Sequence, residues 1–417
     1  MGFFNLFHDL SKSSVEHHVS LDLTMPQCSR TTPIHISYSP TSTTRMPLEL
    51  VMNIMELAYD EHKLEERKSF LKSCALVCRD WSIPAQKMLF RHVALCTETS
   101  CIAFTAAINP ATARGRMLAG AVQCMRVSID HNQPFGLSQR TFARAVTLCP
   151  NLTELNLALY GCGAPGNDIV GSPDVLRMRR HAPSFDEETL DLLRSGPRIS
   201  ALTFRNWSEN RQSIMQLLSI WPTLESLVIS GTAPELPSPP SDPFPCALSE
   251  LRVNLQSSSS VDFFKWLLHN SSHSLRKLDF ERELSPVAAQ YLIDSHSSTL
   301  ESVHLASCTR EIAQSLSKCP NLRQLSVEDI TSYPVVYKKL SDKLESMAFG
   351  LNKDTQTQAL LDAIKAKGLL RAVTVHLWNG GELHRQLPSL KMTCALRGID
   401  LSLTHDIRDF RSMIRAE

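Results

Sequence analysis

Apolar residues near the start of the chain recur at helical spacing. In MPLELVMNIMELAYD, residues 46–60, Leu50, Ile54 and Leu57 form one stripe, which predicts an amphipathic helix. A second helix is expected in residues 70–81, and a third from Pro84, because proline favours the first turn of a helix. The residues expected to be buried in these two helices are Leu71, Cys74, Ala75, Cys78, Ala85, Met88, Leu89 and Val93. Three helices in so short a segment form a small core, so we expect a partner to cover part of their apolar surface.

Beyond residue 120 a different apolar pattern repeats. Each unit has one apolar residue followed by two more at +3 and +5, as in LTELNL from Leu152. The ten units begin at Leu152, Ile199, Leu224, Leu248, Leu275, Leu300, Leu322, Leu344, Leu370 and Leu396. After a first interval of 47 residues, the starts lie 22 to 27 residues apart, within the range of about 20–29 that is typical of leucine-rich repeats. VQCMRV from Val122 is interpreted as a degenerate eleventh unit that caps the array.

The +3 and +5 residues lie on one side of a short strand, so stacked units predict a parallel sheet with one dry face. Helices are expected between strands, among them Phe185–Ser195, Ser213–Trp221, Val261–Asn270, Pro286–Ser295 and Thr355–Lys367. The expected fold class is therefore α/β, with a short three-helix module at 45–95 followed by an irregular leucine-rich-repeat-like solenoid at 120–405. Residues 1–44 are interpreted as a flexible leader because they are rich in Ser, Thr, His and Pro, and 406–417 as a tail.

Composition restricts the classes of partner. Lys and Arg number 43 and Asp and Glu 42, a net charge of +1, which favours neither nucleic acid nor a membrane surface as partner. No apolar run approaches the roughly 18 residues of a membrane span. Twelve cysteines are scattered along the chain without a secretory leader, which indicates reduced thiols and an intracellular protein of the cytoplasm or nucleus.

The helical segment resembles the F-box family. The resemblance is carried by residues 46–50 (MPLEL), Ile54, residues 74–81 (CALVCRDW), residues 84–86 (PAQ) and residues 89–91 (LFR). Met46 stands where the family usually has Leu, and the charged link after the first helix is longer than the minimal pattern. The resemblance implies a module that docks on the adaptor protein of an SCF-type ubiquitin ligase and, through it, on a cullin.

Carried over position by position, the resemblance also implies which side chains contact the adaptor. They are Pro47, Leu48, Leu50, Ile54, Leu76, Val77 and Trp81. An ordinary helical core is the alternative interpretation of these apolar positions.

Candidate catalytic or metal chemistry is weak. Gly161–Gly166 fits G-x-G-x-x-G, but Pro165, Gly171 and Pro173 argue against the helix that such a nucleotide site requires. Cys74, Cys78, His92 and Cys96 could be counted as zinc ligands, yet the chain contains no C-x-x-C pair. We therefore expect a non-enzymatic chain that needs no cofactor and no metal. A catalytic group assembled from distant residues remains the alternative from another class.

Polar residues on the strands are the candidates for binding a protein target. The set expected to face solvent is Arg205, Trp207, Arg252, Asn254, Lys277, Asp279, Glu281, His304, Glu328, His376 and Trp378. One sheet of this kind offers a large surface for a protein. The function expected is substrate recognition within an SCF-type E3 ubiquitin ligase, with an unknown protein target. The alternative is a non-catalytic repeat scaffold whose F-box serves a non-ligase complex.

Overall fold

The structure is a computed structural model that describes residues 46–57, 64–133, 135–161, 182–236, 242–257, 260–330 and 335–416. The predicted leader at 1–44 and most of the G-x-G-x-x-G motif lie outside these ranges. The chain divides into two compact units, one of residues up to Arg91 with Ile102–Ala121, the other of His92–Cys101 with Val122–Glu417.

Up to Arg91, the described part of the first unit contains three helices: α1 at Leu48–Leu57, α2 at Leu64–Val77 and α3 at Arg79–Arg91. A small apolar core joins them, formed by Val51, Met55, Leu71, Cys74 and Ala85. Trp81, Met88 and Leu89 pack against that core and are partly buried.

The helix boundaries differ from the sequence expectation. α2 begins at Leu64, six residues earlier than predicted, because Leu, Glu, Arg and Lys in LEERK are good helix formers. α3 begins at Arg79 and continues through Pro84, which the prediction had placed at its first turn. Cys78, expected to be buried, is exposed.

Two further helices follow, α4 at Glu98–Ala107 and α5 at Ala113–Ala119. The side chain of Thr112 accepts a hydrogen bond from the backbone N–H of Gly115, which caps the first turn of α5.

The second unit contains a parallel sheet whose strands lie in the order of the sequence. In the described part of the chain it has twelve strands: β1 His92–Leu95, β2 Cys124–Asp130, β3 Glu154–Tyr160, β4 Ala201–Trp207, β5 Ser226–Gly231, β6 Glu250–Leu255, β7 Lys277–Phe280, β8 Ser302–Ser307, β9 Gln324–Asp329, β10 Ser346–Leu351, β11 Ala372–Leu377 and β12 Asp400–Thr404. Every neighbouring pair is parallel. The expected α/β class with a parallel sheet is therefore confirmed.

Helices connect most of these strands. They are α6 Gln139–Thr147, α7 Glu187–Arg194, α8 Ser213–Leu218, α9 Val261–Leu267, α10 Pro286–His296, α11 Arg310–Leu316, α12 Gln358–Ala366 and α13 Leu387–Arg397, with short 3₁₀ helices at Val336–Lys339 and Gly381–Leu383. A further helix, α14 at Ile407–Ala416, follows β12. Side chains of Ser138, Asp186, Ser260, Ser285 and Thr309 cap the starts of five of the connecting helices. These caps explain where the connecting helices begin, because a side-chain oxygen accepts from an otherwise unpaired N–H.

The repeat pattern locates the strands and the buried face correctly. In every unit from Val122 to Leu370, the strand begins two residues after the unit does. The +3 and +5 residues are at most 2 % exposed, as Leu155 and Leu157 illustrate. The buried face of the sheet follows from these alternating residues, because side chains at i and i+2 of a strand share a face.

Three details of the array differ from the prediction. The last unit is shifted, because Leu396 lies in the last turn of α13 and is exposed, and Gly398 at φ 64° terminates that helix in the left-handed conformation. Leu401 and Leu403 then pair in register with β11. Val93, expected on a helix, lies in β1, so the sheet begins inside the segment assigned to the helical module. The unit from Val122 is consequently flanked by β1 and is not the terminal strand.

Candidate functional site

The first unit carries an exposed apolar surface. Its exposed large side chains include Leu48, Leu50, Ile54, Leu76 and Val77, with exposed fractions of 46, 51, 43, 71 and 62 %. Pro47 at the start of α1 is also exposed. We call these six residues the apolar docking surface. Other large apolar side chains of this unit that are exposed are Met46, Met52, Leu57, Phe70, Ile83 and Ile102.

α1 shows how the sequence produces this surface. Val51 and Met55, one helical turn apart, are 1 and 0 % exposed and face the core. Leu50 and Ile54 precede them by one position each and lie on a different face, which is left exposed. A helix with apolar residues on both faces has more apolar surface than its own core can cover.

Two residues near the α2–α3 junction behave differently from each other. Leu76 is exposed, whereas Trp81 is partly buried and packs on the core formed by Val51, Met55, Leu71, Cys74 and Ala85. Of the seven side chains predicted to contact an adaptor, Trp81 is therefore the one with a clear structural role within the unit itself.

The second candidate site lies on the sheet face opposite the buried +3 and +5 residues, which we call the polar face. Register places Arg252 of β6 beside Asp279 of β7, and Asp279 beside His304 of β8. Glu281, which directly follows β7, and Glu328 of β9 lie on the same face, two residues further along their strands than this row. Five of the polar residues predicted from the sequence are thus brought together.

α14 lies across this part of the polar face. Phe410 packs against His376 of β11, Arg411 binds Glu328 of β9, and Arg415 binds Asp279 of β7. The helix therefore crosses the strands from β12 towards β7. Asp406 holds its start, because Oδ1 of Asp406 accepts a hydrogen bond of 2.7 Å from the N–H of Arg408.

Two arginines of α14 and one of the sheet neutralise three carboxylates. Arg411 donates hydrogen bonds of 2.9 Å to Oε2 of Glu328 and of 3.0 Å to the carbonyl of Glu281. Nε of Arg415 donates to Oδ2 of Asp279 at 3.1 Å, and Arg415 also binds the Glu281 carboxylate. Nε of Arg252 lies 2.8 Å from the same Oδ2 of Asp279, an ion pair without hydrogen-bond geometry.

Neighbouring polar groups complete the cluster. Nε2 of His304 lies 3.0 Å from Oε1 of Glu328, and Nδ2 of Asn254 donates a hydrogen bond of 2.6 Å to Oε2 of Glu281. In the described part of the molecule, Oδ1 of Asp279 and Oγ of Ser326 are buried without a hydrogen-bond partner. The cluster retains acceptor capacity that α14 does not use.

The sheet provides room for the one aromatic residue that α14 buries. Phe410 is 0 % exposed, and its ring centroid is 5.6 Å from that of His376. The polar-face residues of β9, β10 and β11 in register are Ser326, Ala348 and Thr374, all small. Burial lowers the pKa of His376, so a neutral imidazole is favoured beside the phenyl ring.

The carboxylate of Glu328 is ionised in this environment. Burial alone raises its pKa, but the hydrogen bonds from His304 and Arg411, together with their charges, outweigh burial and lower it overall. The hydrogen bond to Glu328 correspondingly raises the pKa of Arg411. The pair is therefore a charged contact, not a shared proton.

The predicted solvent exposure of the polar residues is correct for some and wrong for others. Arg205, Trp207 and Lys277 are exposed, and Trp378 is half-buried. Asp279 and His304, expected to face solvent, are 9 and 4 % exposed, because α14 and the ion cluster lie over them. Binding of a protein target by these residues stays a prediction.

Sequence reasoning missed α14 and its contact residues Phe410, Arg411 and Arg415, because residues 406–417 were assigned to a tail. A signal was present. Ile407, Phe410 and Ile414 recur at +3 and +7, the spacing of an amphipathic helix. Nothing in that pattern identifies the strands that the helix contacts, since the carboxylate partners of its two arginines lie 83 to 136 residues away.

No known family model matches this chain, and the curated proteins contain no detectable relative. Among the residues with described positions, no helix is long and apolar enough to cross a membrane. The same described ranges contain no group of three or more His, Cys, Asp or Glu side chains suited to a metal ion.

Proposed function

We propose that the chain is a non-catalytic, substrate-recruiting subunit of an SCF-type E3 ubiquitin ligase. In this proposal α1 to α3 form an F-box that docks on the ligase adaptor, and the strand-and-helix array is a leucine-rich-repeat-like solenoid that binds a protein target. The observation that carries the proposal is the exposure of the positions that the F-box resemblance assigns to the adaptor. Six of the seven are exposed, and five of these six carry large apolar side chains.

Exposure of these residues argues against a role in the core. Val51, Met55, Leu71, Cys74 and Ala85 already form the core of the three helices. Leu76 at 71 % and Val77 at 62 % exposure contribute little to it. Burying one large apolar side chain at an interface is worth about 1.5–3 kcal/mol, so several of these residues would supply the hydrophobic centre that a stable protein interface needs.

The proposed mechanism is proximity. An adaptor bound at the docking surface would connect the chain to the machinery that carries activated ubiquitin, while the sheet holds the target. Holding both raises the effective concentration of the target lysine near the ubiquitin donor, to the millimolar range for short connections. The chain itself makes and breaks no bond in this scheme.

Co-purification with an SCF adaptor tests the proposal. The chain is co-expressed with tagged adaptor as wild type, as Pro47→Ala/Leu50→Asp and as Leu76→Asp. We expect the wild-type chain to co-purify with the adaptor and neither variant to do so, because an aspartate at a desolvated apolar contact is costly. Leu396→Asp is the matched control, since Leu396 is 82 % exposed and receives the same substitution outside the docking surface.

Each result has a defined meaning. Retention of the Leu396→Asp control, with loss of the two docking variants at unchanged circular dichroism, supports adaptor docking. A folded wild type that fails to retain the adaptor overturns the ligase proposal. If the adaptor is retained but no target turnover depends on Leu50 and Leu76, a scaffold that uses its F-box in a non-ligase complex is the better description.

A further inference from the structure

We propose that the carboxylates of Asp279, Glu281 and Glu328, here called the acidic face, form a binding site for a basic helix of the protein target. In the structure α14 occupies that site as a competing ligand from the same chain. The inference rests on the target-recruiting half of the proposed function and identifies the chemistry of the target segment.

Charge complementarity is the first argument. Arg411 and Arg415 are one helical turn apart, so both guanidinium groups project from one side of α14. They reach carboxylates on β9 and next to β7, strands that are two positions apart in the sheet. The acidic face therefore matches a helix that carries arginines at i and i+4.

The need for external cations is the second argument. Side chains of Asp279, Glu281 and Glu328 are 12, 15 and 14 % exposed, so their charges are poorly hydrated. From the sheet, Arg252 pairs with Asp279 and also lies 3.5 Å from Glu250. This low exposure is that of the face with α14 in place. Since burying unpaired carboxylates is costly, any helix that covers the face as α14 does must supply positive charge.

Unused acceptors on the sheet are the third argument. Oδ1 of Asp279 is buried, and none of the described residues donates a hydrogen bond to it. Asp279 itself is 9 % exposed and points into the site that α14 covers. A ligand with one more donor at this point would satisfy the carboxylate better than α14 does.

The fourth argument is that α14 contacts the sheet along one narrow stripe. It has 10 residues, a length at which isolated helices are marginal in water. Among the side chains of α14 whose burial is described, Phe410 is the one in the fully buried core, and Arg408, Asp409, Ser412 and Met413 are exposed. A helix with such a narrow contact stripe opens at a lower free energy than the sheet below it.

These contacts define the partner. A competing helix would place an aromatic residue against His376, an arginine directly after it and a second arginine four positions later, as in Phe410-Arg411-x-x-x-Arg415. Apolar residues at the positions of Ile407 and Ile414 would line the same stripe.

A peptide-binding measurement tests the inference. The peptide HDIRDFRSMIRA, the sequence of residues 405–416, is labelled with fluorescein and titrated with full-length chain while anisotropy is recorded. The chain is used as wild type and as a released variant, Phe410→Ala/Arg411→Ala/Arg415→Ala. We expect the released variant to bind the peptide at least roughly tenfold more tightly, because a competing intramolecular ligand lowers the population of open site.

Two controls assign the binding to the acidic face. Adding Asp279→Asn/Glu328→Gln to the released variant should abolish peptide binding. A peptide in which the arginines of positions 411 and 415 are changed to glutamate should not bind. Arg408→Ala, at an exposed position of α14, should leave the wild-type behaviour unchanged. Equal affinity of the wild-type and released chains, or no binding to a folded released variant, overturns the inference.

Hydrogen exchange on the wild-type chain gives a second test that does not require the released variant to fold. If α14 is displaceable, amides of Phe410 to Ile414 exchange much faster than those of β7 to β9. Exchange at one common rate would show that α14 opens only with the whole sheet, and would overturn the inference. Neither measurement involves the adaptor, so failure of the ligase proposal and failure of this inference give different results.

Discussion

Arg411 donates a hydrogen bond of 2.9 Å to the carboxylate of Glu328, although the two residues are 83 positions apart in the chain. The side chains are 24 and 14 % exposed, so the pair is shielded from solvent but not fully buried. Charge-assisted hydrogen bonds of this kind are stronger than neutral ones, and removing one partner leaves the other uncompensated. The contact therefore links the last helix to the middle of the sheet.

Arg411→Ala is expected to lower the free energy of unfolding by about 1–2 kcal/mol, a value reduced from that of a fully buried pair because solvent screens this one partly. Unfolding in urea, monitored by tryptophan fluorescence, measures this change in free energy. Arg408→Ala, on the exposed side of α14, should change stability by less than about 0.5 kcal/mol. A double-mutant cycle with Glu328→Gln should show coupling; additive effects would contradict a direct interaction.

The same carboxylate predicts a pH dependence. The pKa of Glu328 is lowered in the folded chain, so the unfolded chain binds its proton more tightly. Glu328 therefore stabilises the fold above its ordinary pKa of about 4.3, and this contribution disappears as the pH falls through the lowered pKa. Unfolding measured between about pH 6 and 3 should lose more stability in the wild type than in Glu328→Gln. Equal losses of stability would contradict this role of Glu328, because the two chains have all their other carboxylates in common.

Two leucines of α2 should lose very different amounts of stability on the same substitution. Leu71 is 2 % exposed and Leu76 is 71 % exposed. Leu71→Ala is expected to cost about 2–4 kcal/mol because it opens a cavity in the small core, whereas Leu76→Ala should cost less than about 0.5 kcal/mol. Thermal unfolding of the two variants makes the comparison. A large loss of stability for Leu76→Ala would mean that this residue belongs to the core.

The reactivity of individual thiols should distinguish exposed from buried cysteines in both units. Burial raises the pKa of Cys149, Cys308 and Cys319 to about 12, so little thiolate forms at neutral pH. Cys78 is exposed. Iodoacetamide at pH 7.5, read by mass spectrometry, should modify Cys78 within minutes and the three buried thiols only after unfolding. Under the ligase proposal, bound adaptor should slow the modification of Cys78, which adjoins Leu76 and Val77; rapid modification of Cys308 in the folded chain would contradict its burial.

Gly350 of β10 should not tolerate a side chain. A Cβ at this position would overlap the backbone carbonyl of Glu328 and lie 3.1 Å from Nε1 of Trp378. Gly350→Ala is therefore expected to destabilise the chain by about 1–3 kcal/mol through displacement of β9. Urea unfolding checks the change, with Gly368→Ala as control, because a Cβ at Gly368 meets no atom within 4 Å. Equal stability of the two variants would contradict the close approach of β9 and β10.

The sequence by itself determined the repeating part of the fold. A strand is short, its two faces alternate, and burial of one face is required in every unit, so the +3 and +5 residues identified the strands from β2 to β11. The pattern was wrong by two residues at β12, where Leu396 belongs to α13 and Gly398 ends that helix. Local apolar spacing cannot distinguish the end of a helix from the start of the next strand when both are apolar.

Only the tertiary structure decided what covers each surface. Periodicity placed Leu50, Ile54 and Leu57 on one stripe of α1, but the core is formed by Val51 and Met55, because the side that packs depends on where α2 and α3 lie. Likewise, the sequence showed charged residues at 279 and 328 and arginines at 411 and 415 without relating them. Their pairing depends on the path of α14 across the sheet, and contacts between residues so far apart in the chain are fixed by three-dimensional packing, not by any local period.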